Sequence, residues 1–138
     1  MIEGKQITTT KGAVAAWPEE AARIGAGILE AGGNAMDAAS AACLACAGML
    51  RNKNGIGGYV LAAVVLKGKT GEVWSLDANA RAPAAAFADF YDVEPERDSP
   101  KGVNENEYGC TVRDDANVHG PLAVSVPGQM AGTGMLWE

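Results

Sequence analysis

Two patterns alternate along the chain. Ala21, Ile24, Gly25, Ile28 and Leu29 recur at helical spacing and predict an amphipathic helix with one apolar face. Trp17-Pro18-Glu19-Glu20 opens it, because proline suits the first helical position and carboxylates suit the positive end of the helix dipole. Gly32-Gly33 closes it with a left-handed cap. Asn34 then caps a second helix, with Asp37 three residues on to answer the orphan amides. That helix, Ala35 to Leu50, is small and apolar on nearly every side, which predicts a central helix packed on both sides.

The pattern then changes period. A glycine-dense loop, Gly55-Ile56-Gly57-Gly58, leads into an apolar run from Tyr59 to Leu66. The polar turn Lys67-Gly68-Lys69-Thr70-Gly71 reverses the chain, and Glu72 to Leu76 returns. This predicts a β-hairpin whose first strand is too apolar for a wet face and therefore lies inside a layered core. An antiparallel pair brings the glycine loop and the segment around Asn79 and Arg81 out on one edge. Gly12 to Ala16 and Leu122 to Val126 read as further short buried strands. Pro83 to Ala86 opens a helical or irregular piece, and Phe87 to Val118 is a long loop with at most a turn of helix. A last helix starts near Gln129 and is still running at Trp137-Glu138, as if the chain were a piece of something longer.

Composition narrows the picture. With 138 residues the chain suffices for one small domain, and its 18 glycines and many alanines favour closely approaching layers over a core of large side chains. The net charge of −6 is local: nine acids against three bases between Asp89 and Asp115 account for all of it. A neutral body with one acidic loop argues against nucleic acid and anionic membrane as partners. The acidic run has no Asp-x-Asp-x-Asp-Gly loop and reads as solvated surface. Cys43 and Cys46 form a C-x-x-C inside an alanine-rich helix, with no second pair and a single histidine, His119, so they read as small buried hydrophobes. His119 precedes a turn, with no partner in sight, and reads as structural. No cofactor and no metal are expected. Three cysteines and no recognisable targeting segment point to a reducing, cytoplasmic setting.

Four motifs stand in register: Gly32-Gly33-Asn34-Ala35-Met36-Asp37-Ala38-Ala39; Gly55-Ile56-Gly57-Gly58; Leu76-Asp77 with Ala82-Pro83; and Leu122 to Gly128 with Ala131-Gly132. In order and spacing the chain resembles the N-terminal part of the large subunit of the gamma-glutamyltransferase (gamma-glutamyltranspeptidase) family, from about Gly12 to Glu138. The resemblance implies an α+β fold, a four-layer αββα sandwich of the N-terminal nucleophile hydrolase type, of which residues 1–138 form a single partial domain. It implies a precursor that cuts itself into two subunits, together a hetero-oligomer. The nucleophile is then the threonine at the start of the small subunit, its own amine serving as base. Attack on an amide gives an acyl-enzyme that water or an amine resolves. The threonines of this chain are internal, so no catalytic residue is assigned here.

The resemblance also implies a substrate grip. Family members place an arginine two residues after the Leu-Asp pair, where its planar fork holds the α-carboxylate of the glutamyl group. Here that position is Asn79, and arginine stands two residues later at Arg81. Positions two apart share a face of an extended chain, so Asn79 and Arg81 are the candidate substrate-binding residues, Arg81 equally readable as a surface charge. The glycine loop is shorter than the family's run of four glycines, and close packing is its expected purpose. Three readings follow: an enzyme acting on a gamma-glutamyl or related small-acid amide; a non-catalytic scaffold or binding subunit that kept the fold; and, weakest, a phosphate-binding module using Gly55 to Gly58 and Lys53.

Overall fold

The computed structural model describes residues 8–58, 61–94 and 112–137. Among the described residues three helices and one hairpin are formed: α1 (Glu19–Glu30), α2 (Ala35–Met49), β1 (Ala62–Lys67), β2 (Glu72–Asp77) and α3 (Gln129–Trp137). Single 3-10 turns occupy Arg113–Asp115 and Pro121–Ala123. The chain divides into two compact units, Met1–Ala80 with Pro127–Glu138, and Arg81–Val126.

In the first unit, α1 and α2 form a pair joined by a short turn. Pro18 sits at the N-cap of α1, one position before the expected first turn, with Glu19 and Glu20 behind it. Gly32 supplies the left-handed residue after the helix, with φ of 94°. Asn34 closes the capping box: its Oδ1 accepts from the amides of Met36 (2.7 Å) and Asp37 (3.1 Å), and Asp37 Oδ2 accepts from the Asn34 amide at 2.8 Å. The interface of the pair is built from small residues. Ala21 is wholly buried, as Ala38, Ala42 and Ala47 nearly are. A β-carbon on Gly25 would lie 2.9 Å from the Ala38 carbonyl oxygen, so this glycine sets how closely the helices cross. α2 also borders α3, as a central helix should, but Leu44 and Met49 stay exposed, so it is not covered all round.

The hairpin is antiparallel, with Ala62 opposite Asp77 and Lys67 opposite Glu72. The expected first strand begins at Tyr59, which with Val60 lies outside the described residues; the observed strand starts at Ala62. It is not an interior strand in this chain. Val64 is 78% and Leu66 66% exposed, and Val73 and Trp74 across the ladder are exposed too. Side chains alternate across a strand, and only the Ala63, Val65 and Leu76 side is half-covered.

Two expected strands are absent. Gly12 to Ala16 forms no strand and is at most half-buried; it lies along the helix pair, with Val14 Cγ1 against Gly25, so its apolar pattern serves packing on helices rather than a ladder. In the second unit, Leu122 to Val126 gives a 3-10 turn followed by a single bridge, Val126 with Arg81. Gly120, at φ of 84°, and Pro121 turn the chain there, and proline brings no amide to a ladder. The long loop is irregular where described. Tyr91 donates to the Leu122 carbonyl at 2.8 Å, Val93 bridges Val112, and an exposed ion pair joins Arg113 to Asp92 at 3.0 Å. Most of the acidic run, with Cys110, lies outside the described residues.

Candidate functional site

The open end of the hairpin and the start of α3 form one corner of the first unit. Antiparallel pairing brings the two hairpin ends together, and the Ala78 amide extends the ladder by donating to the Leu61 carbonyl at 2.8 Å. The glycine loop closes on itself, Gly58 N–H to Gly55 C=O at 2.8 Å. α3 is inserted against both arms. The Gln129 amide donates to the Gly58 carbonyl at 3.3 Å. A β-carbon on Gly128 would collide with the Ala78 carbonyl oxygen and stand 2.8 Å from that of Asn79. One on Gly132 would meet Ala78 Cβ and Leu61 Cδ2. The glycines at 58, 128 and 132 are therefore spacers for close approach; in the glycine loop the expected packing purpose holds for Gly58 alone, since a β-carbon on Gly55 or Gly57 would meet nothing within 4 Å.

Asn79 is exposed at this corner and tied to Asp77. Its backbone amide donates to Asp77 Oδ1 at 3.0 Å, and its Nδ2 donates to the same oxygen at 2.7 Å. The Asp77 carboxylate thus organises the turn that leaves β2. Arg81 belongs to the second unit. Its backbone pairs both ways with Val126, at 3.0 and 2.9 Å, and its side chain is exposed with no ion pair among the described residues.

Gln129 was not singled out by the sequence, which marked it only as a helix start. It is 2% exposed, its carbonyl accepts from Thr133 Oγ1 at 2.9 Å, and its Nε2 donates toward Cys43 Sγ at 3.7 Å. The available signal was a lone amide in a run of glycine, methionine and alanine directly after Pro127-Gly128. Cys43 and Cys46 are half-buried on α2, the latter donating to the Trp17 carbonyl at 3.3 Å. Burial pushes the Cys43 thiol above its ordinary range, neighbouring Cys46 adds to this, and the Gln129 and Thr133 hydrogen bonds oppose it. His119 is exposed on its loop, its backbone amide donating to the Asp115 carbonyl at 2.9 Å. Among the described residues no three His, Cys, Asp or Glu side chains converge as metal ligands, and no helix is long and apolar enough to cross a membrane.

A family model described as Gamma-glutamyltranspeptidase matches residues 21–138. Among curated proteins, the chain is 32% identical over 133 residues to Glutathione hydrolase 2 of Arabidopsis thaliana, covering 96% of this chain and 19% of that protein. It is 35% identical over 131 residues to the Glutathione hydrolase proenzyme of Bacillus subtilis, covering 94% of this chain and 20% of the relative. The chain thus spans about a fifth of the length of the curated relatives it matches. Among solved structures, Helicobacter pylori gamma-glutamyltranspeptidase superposes with a TM-score of 0.75 at 31% identity, over 96% of this chain and 33% of that one. The Pseudomonas nitroreducens gamma-glutamyltranspeptidase complexed with L-DON gives 0.72 at 31% identity, over 94% and 33%.

Proposed function

The chain belongs to the gamma-glutamyltranspeptidase family, and from that membership we propose that it is part of an N-terminal-threonine amidohydrolase or acyltransferase. The carrying observation is the agreement of family match and structural likeness along nearly the whole chain. In this reading the α1–α2 pair and the hairpin contribute to a four-layer αββα sandwich. The protein is made as a precursor and processed, and a small subunit supplies the threonine whose amine is the base. The substrate is a gamma-glutamyl amide, such as glutathione, or a related small-acid amide; an acyl-enzyme forms and passes its acyl group to water or an amine.

In the same reading this chain supplies part of the grip on the acyl donor. Asn79 offers a neutral amide where a carboxylate is to be held, and Arg81 offers the charged fork. One observation favours a second reading, a scaffold or binding subunit that kept the fold: the Asn79 side-chain amide is already engaged by Asp77 at 2.7 Å.

Intact-mass analysis of the full-length protein, with a gamma-glutamyl anilide assay beside it, separates the two. Two fragments, one beginning with threonine, and release of the aniline support the enzyme. A single uncut chain without hydrolysis supports the scaffold.

A further inference from the structure

Burying a side-chain amide is costly unless its polar atoms are engaged, and buried glutamine amid small residues needs a reason. Gln129 is 2% exposed and bonded through its backbone N–H to Gly58, through its carbonyl to Thr133, and through its side chain to Cys43. Its Oε1 fills the space that Gly58 leaves by lacking a β-carbon. Its chain neighbour, Gly128, lies against the carbonyls of Ala78 and Asn79 with no room for a side chain. Consecutive residues at the start of α3 therefore touch both arms of the hairpin end, the glycine loop on one side and the turn leaving β2 on the other.

We propose that Gln129 is a positioning residue, which sets the spacing between the glycine loop at Gly58 and the Asp77–Asn79 turn and thereby the geometry of the donor grip. The second half of this statement rests on the function proposed above; the first half does not. Glutamine suits the task because its amide both fills the gap beside Gly58 and is oriented from α2 by the Cys43 thiol. An aliphatic side chain of the same length would fill the gap without that orientation.

The test uses the full-length protein with Gln129→Met, which keeps the volume, and Gln129→Ala, which does not. Hydrogen exchange reads the spacing directly. In Gln129→Met, exchange at the Gly58 and Ala78 amides should rise together by about tenfold while α1 stays protected. Unchanged exchange at both amides, or a rise spread evenly over the chain, overturns the proposal. Kinetics read the grip: KM for a gamma-glutamyl anilide should rise about tenfold with kcat within about twofold. An unchanged KM with less active protein marks a merely structural glutamine and overturns it. Wild-type protein without hydrolysis sinks the enzymatic reading alone, and the exchange measurement still decides the spacing.

Discussion

The side-chain oxygen of Gln129 stands where a β-carbon on Gly58 would be, and the Gly55 carbonyl oxygen lies 2.9 Å from the same point. Gly58→Ala must push aside a buried amide or bend the loop, and overpacking of this kind costs about 1–3 kcal/mol. Gly57→Ala, one residue earlier, meets nothing within 4 Å and should stay within about 0.5 kcal/mol of the parent. Urea unfolding of the two variants side by side checks this; coincident midpoints would refute the close approach.

Gly134 within α3 and Gly128 just before it should respond with opposite signs. Gly134 has open space around its α-carbon, so Gly134→Ala should stabilise the helix by about 0.5–1 kcal/mol through propensity alone. Gly128→Ala drives a methyl group into the Ala78 carbonyl, backbone that cannot rotate away, and should cost about 3 kcal/mol. Thermal melts of both variants give the comparison, and a destabilised Gly134→Ala would show that the space is not free.

Cys43 should be a slow nucleophile. Burial, and then Cys46, raise its pKa in the folded chain, so less thiolate is present at a given mildly alkaline pH than in the unfolded chain. Alkylation of native protein, followed by peptide mass spectrometry, should show Cys43 lagging the same residue in urea and its pH profile displaced upward. The linked stability has a definite sign. The raised thiol contributes its stabilisation below the unfolded pKa, and this is lost as pH climbs through the folded one. Cys43→Ala should therefore flatten the fall in stability above about pH 9.

Asn79→Arg places a guanidinium fork where Asn79 offers one neutral amide held by Asp77. If the chain grips a glutamyl carboxylate, KM for a gamma-glutamyl anilide should fall about tenfold, the worth of a charge-assisted hydrogen bond. The anilide of 4-aminobutyrate, which lacks that carboxylate, should show no such gain. Equal effects on both donors would remove this corner from the grip.

The features legible in the sequence were those set by nearby residues. The α1 stripe, the Asn34–Asp37 capping box, the Gly32 stop and the Lys67–Gly71 reversal each lie within a turn or two of the residues that signal them. What was misread depends on distant neighbours. Gly12 to Ala16 and Leu122 to Val126 are apolar enough for strands, but a strand needs a ladder partner, and neither run continues the sheet. Val64 and Leu66 announce burial, yet nothing among the described residues covers that face of the hairpin. At the proposed site, motif alone nominates Asn79 and Arg81, whereas the burial of Gln129 comes from contacts with Gly58 and Cys43, 71 and 86 positions away, which no local pattern announces.

Because Gly128 and Gln129 are adjacent, a single peptide unit, about 3.8 Å of chain, spans the contact with Asn79 and the contact with Gly58. Such a joint has no slack. An inserted residue between them would register one arm at the expense of the other, whereas the exposed reversal at Gly68 to Gly71 can absorb added residues freely. Length variation among proteins built on this plan should therefore gather at the hairpin tip and be missing at the Pro127–Gly128–Gln129 junction.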